Sequence, residues 1–357
     1  MPVEFLSDAE AAAYGRFNGP PARAELERVF FLDDADRGLV DRHRGAHNRL
    51  GFALQLTTVR SLGLFLPDPL DVPSVVVAYV GEQLAIADPS CVARYMERRS
   101  TRFEHADEIR RVFGLRDFAA AEEDLERWVD ARAWTTGDGP RAIFDDAVAW
   151  LFERSVLLPG VTTLARLVAR VRDEATQRLW ETLSELPTAR QRRMLGQLLV
   201  VAGDARMSDL ERWRQGPAKP SGKNLERALD RVGEIGKIGL GSLGLEAVVP
   251  QRRLVDLARY GMTAKAPRLR RHPRFRRVAT LVATVAYLQA RSIDDCLELL
   301  DLLMVTELLG KAERASKRRC ASIRGSRVRR RSSRPRSMSC WTPRATVRRS
   351  RSLTCGR

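Results

Sequence analysis

Apolar positions recur at steps of three and four along most of the chain, and strict alternation is nearly absent; that period predicts helices rather than strands. Ser7 is a good N-cap for a short helix over residues 8–17. A Pro pair precedes a second helix over 22–31, a third spans 33–42, and a long apolar segment comes next over 48–64. The β-branched cluster Val72–Val80 contains Pro73 and sits inside a helical pattern that runs towards Ile86. Asp88-Pro89 opens another helix, since Asp caps and Pro suits the first turn, and one more starts at Ser100 and ends at Gly114. Helices over 119–134 and 142–153 lead to Leu158-Pro159-Gly160, which marks a boundary. Beyond it Leu164, Leu167, Val168, Val171, Ala175, Leu179 and Leu183 form the clearest amphipathic stripe, in a helix over 161–186. A last pair of helices is predicted over 274–289 and 293–311. No repeat of fixed period is visible. The predicted fold class is all-α: two consecutive helical modules, residues 1–158 and 159–310, the first with helix-turn-helix-like character, and a basic tail over 311–357.

The 357 residues suffice for this division, and 44% hydrophobic with 30% charged residues is a soluble globular balance. No apolar run approaches the roughly 20 residues of a membrane span, and the N-terminus lacks the basic region of a secretory signal. Five Cys without a C-x-x-C pair argue against a disulfide framework or zinc ribbon. A cytoplasmic location is expected.

The net charge of +17 belongs to one end. From Lys311 to Arg357 stand 17 of the 62 basic residues and one of the 45 acidic ones, so residues 1–310 hold 45 basic and 44 acidic side chains. Binding to nucleic acid must therefore rest on local patches of the body, not on the isoelectric point. The tail has no apolar periodicity, and disorder is expected there. It reads as an Arg/Ser-rich arm, a solvated terminus, or the out-of-frame product of a GC-rich gene. The abrupt change of composition near Cys320 favours the last.

Candidate chemistry is sparse. Gly239-Leu240-Gly241-Ser242-Leu243-Gly244 matches the dinucleotide-binding fingerprint in letters. A helical pattern precedes it instead of a strand, however, and Pro250 interrupts the region where the next helix should run. His43 and His47 have the spacing of a zinc-binding helix, yet Arg44 stands where the general base belongs and Gly45 weakens the helix. Cys91 and Cys296 lie in helical surroundings, and the acidic pairs Asp33-Asp34, Asp145-Asp146 and Asp294-Asp295 read as helix starts or solvated faces. No catalytic residue, metal site or cofactor is expected.

Two basic stretches remain. In the first, Arg42, Arg44, His47, Asn48 and Arg49 form a basic turn that feeds the apolar run Leu50–Leu56. Arg forks onto guanine or phosphate and Asn onto adenine, while the apolar run anchors the turn. Arg60 lies eleven residues beyond Arg49, within about 20° on the same helix at roughly 100° per residue. In the second, Arg94, Arg98, Arg99, Thr101 and Arg102 bring a basic helix end to a Ser/Thr-capped helix start, where backbone N–H groups and cations can hold phosphate together. The alternative for both is a solvated face with local ion pairs, since Glu97, Glu104 and Glu108 dilute the charge.

These stretches carry a family likeness. Pro2–Leu6, Phe31–Asp36, His47-Asn48-Arg49-Leu50-Gly51-Phe52-Ala53-Leu54-Gln55-Leu56 with Arg60, and Leu66-Pro67-Asp68-Pro69 resemble the N-terminus of replicative transposases of the Tn-three family. Ala87–Ser90, Arg94-Tyr95, His105 with Glu108-Ile109-Arg110, and Leu157–Val161 extend the resemblance, which runs to about Lys317. It implies a helical DNA-binding region that recognises terminal inverted repeats. The implied partners are double-stranded DNA of transposon ends and a further transposase chain, full-length or a second copy. In that family an RNase-H-like domain comes next, with Asp, Asp and Glu on two metal ions. Residues after Lys317 depart from the family, so a truncated, non-catalytic fragment with a frameshifted tail is expected. The rival expectation is a helical interaction protein whose tail binds nucleic acid without specificity.

Overall fold

The computed structural model describes residues 5–332 except Arg99, Ala202, Asp204 and Ala218, and leaves aside the side chains of 306–308 and 323–332. All regular structure among them is helical; the one β-bridge joins Arg116 to Val156. Two compact units emerge, Met1–Gly216 with Asp230–Ile293, and Pro217–Leu229 with Asp294–Arg357.

The first unit opens with α1 (Asp8–Ala13), α2 (Arg23–Val29) and α3 (Asp34–Val40). The expected Ser7 cap is present as a capping box with Glu10, and Asp33 caps α3 in the same way through Asp36. Next comes α4 (Ala46–Leu62), in which every residue from Leu50 to Val59 is buried. A helix apolar on all sides belongs inside a domain. Here α2, α5 (Ser74–Gln83) and α6 (Thr101–Phe113) surround it, with Leu26, Val76, Val80 and Ile109 against Leu50, Phe52, Leu54 and Leu56. Asp88-Pro89 does open a helix, but of 3-10 type, over Pro89–Met96.

A second cluster joins α7 (Glu122–Thr135), α8 (Pro140–Glu153) and the first half of α9 (Val161–Glu185) through Leu125, Val129, Ile143, Leu151, Leu164 and Val168. The second half of α9 enters a third cluster with α10 (Ala189–Gln197) and α11 (Asp209–Arg214). That cluster is completed by α12 (Gly222–Gly236), α13 (Leu245–Val248), α14 (Gln251–Thr263), α15 (Ala266–Arg271) and α16 (Arg274–Leu303). Leu179, Leu183, Leu195, Trp213 and the run from Val278 to Leu288 form its centre. The chain is continuous helix through α16, where the sequence pattern predicts a break before Ile293. Ala290, Arg291 and Ser292 include no helix breaker, and the helix runs on across them.

In the second unit the chain passes from α16 through a π-helical turn (Met304–Leu309) to α17 (Gly310–Ser332). This helix is the part of the tail that the structure describes. Its described side chains are exposed, apart from a half-buried Gly310, and Ala, Arg and Lys supply the helix propensity where the sequence pattern predicts disorder. Residues 333–357 lie outside the described residues.

One ion pair fixes α3 on α4. Asp36, 2% exposed, accepts two hydrogen bonds from Arg60 Nη2 at 2.9 and 3.0 Å while also completing the α3 cap. Asp36→Ala is expected to lower unfolding stability by about 2 kcal/mol through loss of cap and charged hydrogen bonds together. Urea denaturation checks this, and a loss below about 0.5 kcal/mol would show the pair to be dispensable.

Candidate nucleic-acid interface

The basic turn is residues 41–45, between α3 and α4. Gly45 has φ +88°, a conformation open to glycine, and a Cβ there would lie 3.0 Å from the His47 ring. Arg42 and Arg44 are exposed and make no ion pair among the described residues. Asn48 is half-buried, and its Nδ2 donates to the Arg44 carbonyl at 2.9 Å, so its amide braces the turn. Arg49 reaches Asp41 at 3.4 Å across an exposed pair. Arg60 is bound to Asp36 and also donates to the Phe31 carbonyl at 3.3 Å. It shares the helix with Arg49 but serves the α3–α4 contact.

The second stretch lies beside the first through α4. Arg94 pairs with Glu97 at 3.4 Å and Arg98 with Glu104 at 3.9 Å, all four side chains exposed. Such pairs contribute under about 1 kcal/mol and exchange readily for a phosphate. Ser100 makes no side-chain cap to α6, and Thr101 is buried. The helix start is therefore flanked by Arg98 and Arg102 without the Ser/Thr cap that the sequence suggests. Arg102 donates to the Pro67 carbonyl at 2.8 Å and lies 4.6 Å from the Phe103 ring, which is 56% exposed. Arg99 lies outside the described residues.

A buried polar chain beneath both stretches holds them in place. Gly51 lets the Tyr95 ring lie directly on α4: a Cβ would come within 2.4 Å of its carbons. The Tyr95 hydroxyl accepts from Gln55 Nε2 at 2.8 Å and lies 2.9 Å from His105 Nδ1. Gln55 Nε2 also donates to the Arg102 carbonyl at 3.2 Å. The His105 ring sits 4.2 Å from that of His43, which packs at 4.4 Å on Phe52. His43 thus ties the basic turn to α6, and its Nε2 is 3.6 Å from Glu108. Burial, reinforced by His43, holds the His105 imidazole down to about 4, and burial lowers His43 too, against the pull of Glu108. Both rings are neutral at pH 7. The sequence spacing groups His43 with His47, as a metal pair that fails. In the structure the two belong to different segments, and His43 pairs with His105 instead. The available signal is Gln55 in the middle of an apolar run.

Other motifs fall to structural roles. Residues Leu240–Leu243 form a 3-10 turn after α12, with no strand ahead of them, so the glycine-rich stretch is a linker. Among the described residues no group of three or more His, Cys, Asp or Glu side chains is placed to hold a metal ion, and no helix is long and apolar enough to cross a membrane.

The family model "Domain of unknown function (DUF4158)" matches residues 5–171, the part containing this interface. The transposase for transposon gamma-delta of Escherichia coli (strain K12) is 36% identical over 326 residues, 91% of this chain and 32% of that protein. The chain is similar to transposases over most of its length. The transposase for transposon Tn2501 of Escherichia coli is 31% identical over 82% of the chain and 29% of its own length. That for transposon Tn4556 of Streptomyces fradiae reaches 49% over 111 residues, 31% of the chain and 12% of its own length. The transposase-related chain spans about a third of the length of the first two proteins and less of the third.

Proposed function

We propose that the chain binds double-stranded DNA at transposon ends, recognising terminal inverted repeats with the turn before α4, and carries no strand-transfer chemistry in residues 1–310. The observation that carries this reading is the kinship to transposases over 91% of the chain. The geometry supports it with a basic turn fixed by a buried polar network, where positions held by packing suit readout of base edges. Arg42 and Arg44, exposed and without an acid partner among the described residues, are assigned to base edges. Asn48 braces the turn, the half-buried His47 stands beside Gly45, and Arg49 joins from α4. Arg94, Arg98, Arg99 and Arg102 are assigned to phosphates. Thr101 and Arg60 act from within, as packing and as the anchor of α3.

A competition titration tests the reading, using a duplex with the terminal inverted repeat of the encoding element against a shuffled duplex. A preference of about a thousandfold or more is expected. Arg44→Ala is expected to reduce that ratio by about five- to 150-fold, the 1–3 kcal/mol of one base contact. Arg98→Ala is expected to weaken both duplexes equally. Equal affinity of the unaltered chain for both duplexes would overturn the proposal. In the same buffers with magnesium or manganese, no nicked or joined end is expected. Cleavage abolished by substituting an acid within residues 1–310 would refute the non-catalytic part.

A further inference from the structure

A second basic surface lies far along the sequence from the first. From Leu257 to Ile293 the chain has nine basic residues and no acid, and from Pro187 to Gly203 it has three Arg and no acid. The fold brings these two stretches together. Between α10 and the first turns of α16 is a cleft of about 400 Å³ into which Arg192, Arg193, Arg274 and Arg277 converge. On the neighbouring α15, Arg268, Arg270 and Arg271 are exposed.

The partners of these cations set the surface apart. Arg49, Arg60, Arg94 and Arg98 of the first interface each face a carboxylate within 4 Å. None of the four cleft arginines, nor the three on α15, makes an ion pair among the described residues. Two of the cleft arginines are aimed by backbone carbonyls: Arg277 donates to Arg270 at 2.9 Å and Arg192 to Ser184 at 3.5 Å. Behind them Arg276 lies between Trp180 and Tyr260, 5.0 and 5.4 Å from the ring centroids. Tyr260 is fixed by a 2.6 Å hydrogen bond with His272 Nε2. Three cations in the first turn of α16 also oppose the positive end of its dipole, a position that favours anions. Like charges concentrated without acids raise the energy of the fold and are relieved by a polyanion.

We propose that the α10–α16 cleft is a phosphate-binding surface for the backbone of double-stranded DNA, sequence-blind and separate from the turn before α4. The inference deepens the DNA-binding reading and rests on it for the identity of the polyanion. Arginine convergence with no amide side chain in the cleft lining suits phosphate contact and not base readout.

The test uses the full chain with Arg193→Ala/Arg274→Ala, two exposed side chains with no structural hydrogen bond among the described residues. Binding to the repeat-bearing and shuffled duplexes is titrated across salt concentrations. Expected is an equal loss for both duplexes, about ten- to hundredfold at 0.1 M salt, with the log–log salt slope falling by about two and the specificity ratio unchanged. Arg193→Lys/Arg274→Lys is expected to retain most of the slope. If the Ala pair loses helical circular dichroism, Arg193→Gln/Arg274→Gln, which keeps part of the aliphatic stems, decides in its place. An unchanged slope, or a lost specificity ratio at constant slope, overturns the proposal. Should the unaltered chain show no sequence preference, the end-recognition reading fails, while the slope on shuffled DNA still decides for or against this cleft.

Discussion

Gly51→Val is expected to destabilise the N-terminal core by about 3 kcal/mol, the upper end for overpacking. A Cβ at residue 51 would lie 2.4 Å from Tyr95 carbons, far inside contact distance. A flexible neighbour would swing away at little cost. Tyr95 is 1% exposed, and its hydroxyl is held between Gln55 and His105, so the ring has nowhere to go without breaking those hydrogen bonds. Even Gly51→Ala, which gains up to about 1 kcal/mol of helix propensity, is expected to lose more than it gains. Urea unfolding measures the change. A Gly51→Val chain within about 1 kcal/mol of the parent would show that the 3-10 segment is not seated on α4. The functional consequence is a second readout: Arg94 lies on that segment and Arg98 two residues after it, so Gly51→Ala should also weaken DNA binding on every sequence.

Acidification is expected to remove about 3 kcal/mol of stability through His105. Its folded value is held to about 4 against an ordinary 6.5, first by burial and then by His43. Between these values the unfolded chain binds the proton and the folded chain does not. Stability is therefore full above about pH 6.5 and is lost progressively as the pH falls towards 4, at about 1.36 kcal/mol per unit. His43 is lowered as well and acts in the same direction. Comparing denaturant midpoints at pH 7 and pH 5 for the parent and His105→Gln tests this. The variant is expected to be less stable at pH 7 and less sensitive to the change. Equal pH sensitivity of the two chains would place the acid-labile group elsewhere.

The helical class and most helix starts were legible in the sequence because they are set locally. Ser7 and Asp33 find their partners three residues on, and a cap needs nothing more distant. The apolar run in α4 announced a core helix, and α9 showed its stripe at the period of its own turns. The two basic stretches near the N-terminus were legible for the same reason, as contiguous charges. Similarity to transposases was legible in the residues around those stretches.

Tertiary structure alone decided which charges are spoken for. Nothing local separates Arg60, held by Asp36 from 24 residues away, from Arg44, which faces solvent. The Gln55–Tyr95–His105–His43 chain spans over 60 residues and rests on the missing side chain of Gly51. The α10–α16 cleft combines arginines about 80 positions apart in a body whose total charge is close to neutral. Charge interactions fall off with distance in space and with screening, not with separation along the chain. Composition therefore set the sum of the charges, while only the packing of helices set their arrangement.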